Sequence, residues 1–260
     1  MDNISSKLKS LIWIIATIEN WPLWLKFRFG LSKNKEEIFN FRNGLKVLAA
    51  DKGKELFPFK EIFAKREHSR QPRILDNYIV IDIGANIGAF SLFAATSAKN
   101  VKVYAYEPNP DTFSRLVRNI ELNNLTESIK PFNLGVSEKD EERRLFLYPN
   151  RSIADSLYQE YVPNPKDFVK IKVVTLQSIF EDNKIEGCDV LKIDCEGAEY
   201  EILFNTPPDY LCKIKNIVLE YHQGVKGLEE FLERNGFSVV CLKPLSNLGM
   251  LYARRRNTLR

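Results

Sequence analysis

Metal-ligating side chains are scarce in this chain. Two histidines leave a zinc site few ligands to draw on. The four cysteines (Cys188, Cys195, Cys212 and Cys241) stand within apolar segments, and none is in Cys-x-x-Cys spacing. That predicts buried, reduced thiols of a cytosolic protein rather than a disulfide framework. Long apolar runs are missing too. In the most apolar N-terminal stretch, Leu8 to Leu25, the unbroken run is only Leu11 to Ala16, far short of the ~20 residues a membrane span requires. Glu19, Asn20 and Pro22 interrupt the stretch and no small-residue cleavage site follows, so neither a span nor a signal peptide is expected. No charge of one sign dominates. The net charge is +4, much of it from Arg254, Arg255, Arg256 and Arg260, which leaves the body near neutral and gives no reason to expect nucleic acid. Internal repeats and low-complexity tracts are absent.

What the chain has instead is one organising unit between Asn77 and Asn109. Ile79 to Ile83 is a short apolar run, mostly β-branched, as expected of a strand buried on both faces. Gly84, Asn86 and Gly88 form a tight loop after it, Ala89 to Ala98 reads as a helix, and Val101 to Tyr106 is a second buried strand ending at Glu107. This βαβ unit brings a ligand to backbone at a helix N-terminus. A dinucleotide fingerprint is lacking: Asn86 stands where the second glycine must admit a pyrophosphate, and Ala89 takes the third glycine's place. Asp82 would also set a carboxylate near that anion. A ligand with positive charge and no phosphate suits the loop better. S-adenosylmethionine has an ammonium and a sulfonium, and its ribose offers two hydroxyls to Glu107.

At 260 residues the chain has room for one α/β domain of about 190 residues with an N-terminal appendage. Leu8 to Leu25 carries three tryptophans and is flanked by Lys7, Lys9, Lys26 and Arg28. Two readings stay open for it: a helix lying on a membrane surface, or one docked on the protein's own body. Asn43-Gly44 between apolar runs predicts a hairpin, and Leu56 to His68 a helix. Pro72 marks the boundary, giving an appendage over 1–72, a main domain over 73–254 and a basic tail over 255–260. In the main domain Pro110 to Asn124 reads as a helix, Ile129 to Leu134 as a strand and Arg143 to Tyr148 as an extra strand. Pro149 to Lys166 is irregular and is placed to cover an acceptor site. Strands at Val169 to Val174, Val190 to Ile193 and Ile217 to Glu220 then alternate with helices at Leu176 to Phe180, Ala198 to Phe204 and Leu228 to Asn235. Phe237 to Leu242 and Met250 to Arg254 close the chain as an antiparallel pair. The pattern is an α/β doubly wound sheet with a mixed edge.

Ligands of such sheets gather outside the carboxyl ends of the strands. Polar residues stand there: Asp82 to Asn86, Glu107, Asn133, Asp194 to Glu196, and Glu220 to His222. Two acids within three residues, Asp194 and Glu196, exceed what a helix cap requires. DIGANIG, YEPNP, VVTLQSIF, LKIDCEGAEYEIL and LEYH, in this order from roughly Phe41 to Ala253, resemble an FkbM-type S-adenosylmethionine-dependent methyltransferase. The resemblance implies a class I Rossmann-like fold and mostly O-methylation of sugars, polyketides or glycan-linked acceptors. It implies that Asp82, Gly84, Asn86 and Gly88 line the methionyl side, that Glu107 takes the ribose, and that Asn133 and Leu134 flank the adenine. Asp194 and Glu196 would stand beside the transferred methyl, and Glu220-Tyr221-His222 agrees with the family's ending.

A hydroxyl acceptor must lose a proton. His222, unperturbed at pH 7, ranks slightly ahead of Asp194 as the base, with Glu196 as a third candidate. No resident metal is expected, although Asp194, Glu196 and Glu220 are close enough in pattern to be considered for one. Asn205 to Tyr210 has the look of an amino-methyltransferase Asn-Pro-Pro-Tyr motif with two insertions, but it follows a helix and reads as a turn. The expected partner is a small-molecule or glycan acceptor, with peripheral membrane contact through residues 8–25 left open. The rival functions are a nucleotide-dependent oxidoreductase and a non-catalytic module of the same fold.

Overall fold

The structure, a computed structural model, describes residues 2–64, 72–148, 154–163, 167–242 and 246–256. Helices α1 (Asp2–Thr17) and α2 (Trp21–Arg28) lead into strands β1 (Glu37–Asn40) and β2 (Lys46–Ala49). These two strands form the expected hairpin. Its turn takes Gly44 to φ +91°, a conformation a Cβ would strain, which is why Asn-Gly stands there. A 3₁₀ turn, Asp51–Leu56, precedes α3 (Phe57–Ala64). Residues 65–68 of the expected helix lie outside the described residues, as do 149–153 and 164–166 of the irregular segment and 257–260 of the tail.

The main fold follows as β3 (Ile79–Ile83), α4 (Ala89–Ser97), β4 (Lys102–Tyr106), α5 (Pro110–Leu122) and β5 (Ile129–Phe132). Next come β6 (Gly135–Val136), β7 (Glu141–Phe146), β8 (Phe168–Val174), α6 (Leu176–Asp182) and β9 (Cys188–Ile193). The chain ends with α7 (Glu199–Phe204), α8 (Pro208–Leu211), β10 (Ile214–Tyr221), α9 (Leu228–Arg234), β11 (Phe237–Leu242) and β12 (Gly249–Arg255). Two helix starts are written in the sequence. Asn109 caps α5 by accepting the N–H groups of Asp111 and Thr112, with Pro110 in the first turn, and Thr175 caps α6 by accepting that of Ser178. Asn205 to Tyr210 is not wholly a turn, because Pro208 opens the short α8.

Among the described residues the main sheet runs β11-β12-β10-β9-β3-β4-β5. In it β12 alone runs against the other strands, so the sheet is doubly wound with a mixed edge. The chain reverses direction across the sheet at β3, which pairs with β4 on one side and β9 on the other. That switch point opens a crevice at the carboxyl ends of β3, β4 and β9. A second sheet, β6-β8-β7, stands apart from the main one; the sequence anticipated β7 and β8 but neither β6 nor the grouping.

One buried apolar cluster joins the N-terminal elements to the main fold. Ile14, Ile18, Phe39, Phe41 and Phe59 pack in the same cluster as Val80, Phe90 and Leu116. Asn20 fixes this attachment, donating its amide to the Ile38 carbonyl and accepting the Asn40 N–H. Helix α1 is therefore docked on the body through Ile14, with the buried Ile18 just past its end, while Ile12 and Ile15 are exposed. No helix among the described residues is long and apolar enough to cross a membrane.

Candidate active site

The loop after β3 is shaped by close backbone contact. Gly84 has φ +73°, and a Cβ there would stand 1.8 Å from the Asp194 carbonyl oxygen, so only glycine lets the ends of β3 and β9 meet. Asn86 also takes a left-handed φ of +51°, which asparagine tolerates better than most residues. Its N–H donates to Glu107 Oε2 at 2.9 Å, and the Asn109 N–H donates to Oε1 at the same distance. Glu107 thus sits at the end of β4 with each oxygen holding one backbone donor and one further lone pair. Burial pushes its carboxyl up to about 7, against the opposing pull of these two N–H groups. Beyond it, Asp155 accepts the Asn109 amide and the Tyr148 N–H, and burial pushes its carboxyl up to about 6.

At the end of β9 a second group of charges assembles. The Lys192 ammonium lies 3.3 Å from Asp82 Oδ1 and 3.5 Å from Asp194 Oδ2, and it donates to the Gly84 carbonyl. Burial disfavours its charge, but Asp82 and Asp194 outweigh that and hold it protonated. His222, at the end of β10, lies between two carboxylates: Nδ1 is 2.9 Å from Glu199 Oε1 and Nε2 is 3.3 Å from Glu196 Oε2. Burial lowers its pKa, yet the hydrogen bond to Glu199 and the charges of Glu199, Glu196 and Asp194 push it up to about 9. The expectation of an unperturbed His222 is corrected here: the carboxylates around it raise it above the ordinary imidazole value and favour its protonated form. Glu196 is pushed up to about 7 by burial and by neighbouring Asp194, Glu199 and Asp155, partly offset by His222.

A cavity of about 480 Å³ joins the two groups, within the usual range for small-molecule sites. Gly84, Asn86, Glu107, Leu134, Asp194, Glu196 and His222 all line it. Three expected cofactor residues do not. Asp82 is fully buried behind the wall, held by Lys192 and by the Ser91 hydroxyl. Gly88 opens α4 at φ +98° and faces Leu116. Asn133 donates its amide to the Glu107 and Pro108 carbonyls, and so shapes the strand end from behind. Sequence reasoning missed Lys192, Glu199 and Asp155. A lysine inside the apolar run of β9 was a legible sign of a buried ion pair, whereas Asp155 lies in the irregular segment and carried no signal.

A mostly parallel sheet in this strand order, with a buried acid ending the second strand and no pyrophosphate loop, has the class I methyltransferase architecture. The profile of the methyltransferase FkbM domain matches residues 82–239. The chain belongs to the FkbM methyltransferase family. It is 28% identical to methyltransferase sdnD of Sordaria araneosa over 225 residues, covering 75% of this chain and 86% of that one. It is 26% identical to the 31-O-demethyl-FK506 methyltransferase FkbM of Streptomyces tacrolimicus, over 78% of this chain and 90% of that one. Hexuronic acid methyltransferase AglP of Haloferax volcanii is 26% identical, over 69% of this chain and 71% of its own. The protein is accordingly a methyltransferase, and S-adenosylmethionine is its cofactor.

Proposed function

We propose that the protein methylates a hydroxyl oxygen on a sugar, glycan or related small-molecule acceptor. The observation that carries this reading is that one cavity is lined both by Glu107 and by the Asp194, Glu196 and His222 group. Two of the relatives support it, since one is named for an oxygen position and another for a hexuronic acid.

The residues present fit the cofactor. The open lone pairs of Glu107 suit two ribose hydroxyls, Leu134 and Tyr106 offer apolar surface to the adenine, and the acids at the end of β9 suit a cation. When bound, S-adenosylmethionine supplies an electrophilic methyl group. The chain's own task is to align the acceptor oxygen and accept its proton. With His222 protonated, the proton-accepting groups are the carboxylates of Asp194 and Glu196.

Glu107→Ala should weaken binding of S-adenosylhomocysteine by ~2–3 kcal/mol, about 30–150-fold, since hydrogen bonds to a charged group are lost. Isothermal calorimetry measures this, and an unchanged affinity in a folded variant would remove Glu107 from the ribose. The pH dependence has a definite sign. The folded chain keeps a Glu107 proton between pH 4.5 and about 7 that the unfolded chain has lost, so this group's contribution to stability falls as pH rises through that window. A ligand that donates hydroxyls prefers the ionised form, so its affinity should rise over the same window and then level off. Asp155 and Lys192 are the charged neighbours that shape the curve. In Glu107→Ala the rise should vanish.

A further inference from the structure

We propose that Asp194, Glu196 and His222 bind a divalent cation, which in turn holds an acceptor presenting two adjacent oxygens. The use of the ion in catalysis rests on the O-methylation reading above; its binding does not.

One ligand atom from each of the three side chains can be chosen so that all lie within 4.8 Å of one another. Ligands on opposite sides of a hard divalent ion lie about 4–5 Å apart, so the ion fits with little rearrangement. All three residues line the cavity, which leaves the remaining coordination positions facing the ligand space. An octahedral ion with three protein ligands has three such positions, enough for two acceptor oxygens and a water. Two carboxylates and an imidazole suit Mn²⁺ or Mg²⁺ better than thiolate-seeking ions.

A second, independent feature points to a cation. Histidines that bind metals almost always donate their other N–H to a carboxylate or carbonyl. Here Glu199 does this for His222 Nδ1 and is itself fixed by the N–H groups of Cys195 and Gly197. That leaves Nε2 turned toward Glu196. Glu199 is fully buried, and its Oε2 has no hydrogen-bond partner among the described residues. A buried carboxylate with an unpaired oxygen is costly unless nearby positive charge compensates it. Lys192 is already shared between Asp82 and Asp194, so Glu196, Glu199 and Asp194 surround one imidazole with an excess of negative charge. A divalent ion in place of the Nε2 proton balances it. Glu220, the third acid that the sequence suggested, lines the cavity but is outside this set; His222 takes its place.

A bound ion lowers the pKa of a coordinated acceptor hydroxyl. The proton then passes to the non-ligating oxygen of Asp194 or Glu196. This favours acceptors with a vicinal diol or an α-hydroxy acid over an isolated hydroxyl.

The test is a Mn²⁺ titration of the full chain followed by electron paramagnetic resonance, with neither donor nor acceptor present. One saturable ion per chain is expected, with affinity at least tenfold lower in Glu196→Gln and about 10–100-fold lower in Glu199→Gln, which loses the group that orients His222. Glu196 is partly exposed, so its variant should fold; calorimetry with S-adenosylhomocysteine checks this in each sample. No saturable Mn²⁺ binding, or equal binding in Glu196→Gln, overturns the proposal. Retained S-adenosylhomocysteine binding in that case leaves the methyltransferase reading intact.

Discussion

Asp194→Asn should lower kcat by about 10²–10⁴-fold while S-adenosylhomocysteine affinity stays within about threefold. Asparagine keeps the shape of aspartate but cannot accept the acceptor's proton. On the function proposed above, the effect belongs in kcat because Asp194 is assigned to the acceptor and Glu107 to the ribose, both residues lining the one cavity. The fold should survive, because Lys192 keeps Asp82 as its partner and the Asp194 side chain is one-third exposed. Single-turnover methyl transfer under saturating donor measures the chemical step. A loss confined to KM, or a kcat within threefold of the parent, would remove Asp194 from proton handling.

Lys192→Met should cost about 3–5 kcal/mol of stability, the usual result of removing one partner from a buried pair. Asp82 is fully buried, and among the described residues its Oδ1 has no hydrogen bond, so the charge compensating it there is the Lys192 ammonium at 3.3 Å. Methionine fills much of the same volume, so the loss is electrostatic rather than a cavity effect. Adding Asp82→Asn removes the stranded charge and should recover part of the stability. Denaturant unfolding of the two single variants and the double variant gives the coupling directly. Additive effects would mean that the pair is not coupled, and that Asp82 is stabilised by Ser91 alone.

The two predictions divide the strand-end acids by role, and that division was only half legible beforehand. The unit from Ile79 to Glu107 could be read because strands buried on both faces are continuous apolar runs, so Asp82, Gly84 and Glu107 stood out against them. Which acids face the ligand was not readable. Asp82 and Asp194 each follow an apolar run, yet Lys192 pairs with both, and burial alone assigns Asp82 to structure and Asp194 to the cavity. His222 shows the same limit: its position was legible, but its proton depends on Glu199 and Glu196, which only the packing of α7 against β10 brings to it. Gly88 and Asn133 were assigned to the cofactor by pattern, and instead one meets Leu116 and the other braces the Glu107 turn. The irregular segment hid Asp155, Ser156 and Tyr158. Ser156 donates to the Glu196 carbonyl and Tyr158 to Glu201, contacts with no periodicity to announce them.

The most direct measurement uses S-adenosylmethionine carrying a ¹³C methyl group, incubated with the protein and a panel of hydroxylated acceptors that includes uronic acids and vicinal diols. Nuclear magnetic resonance of the product reports which atom receives the label. The account predicts ¹³C bound to oxygen, with transfer lost in Asp194→Asn and, at low donor concentration, in Glu107→Ala. A label found on nitrogen or carbon, or transfer to oxygen that survives both substitutions, would contradict it.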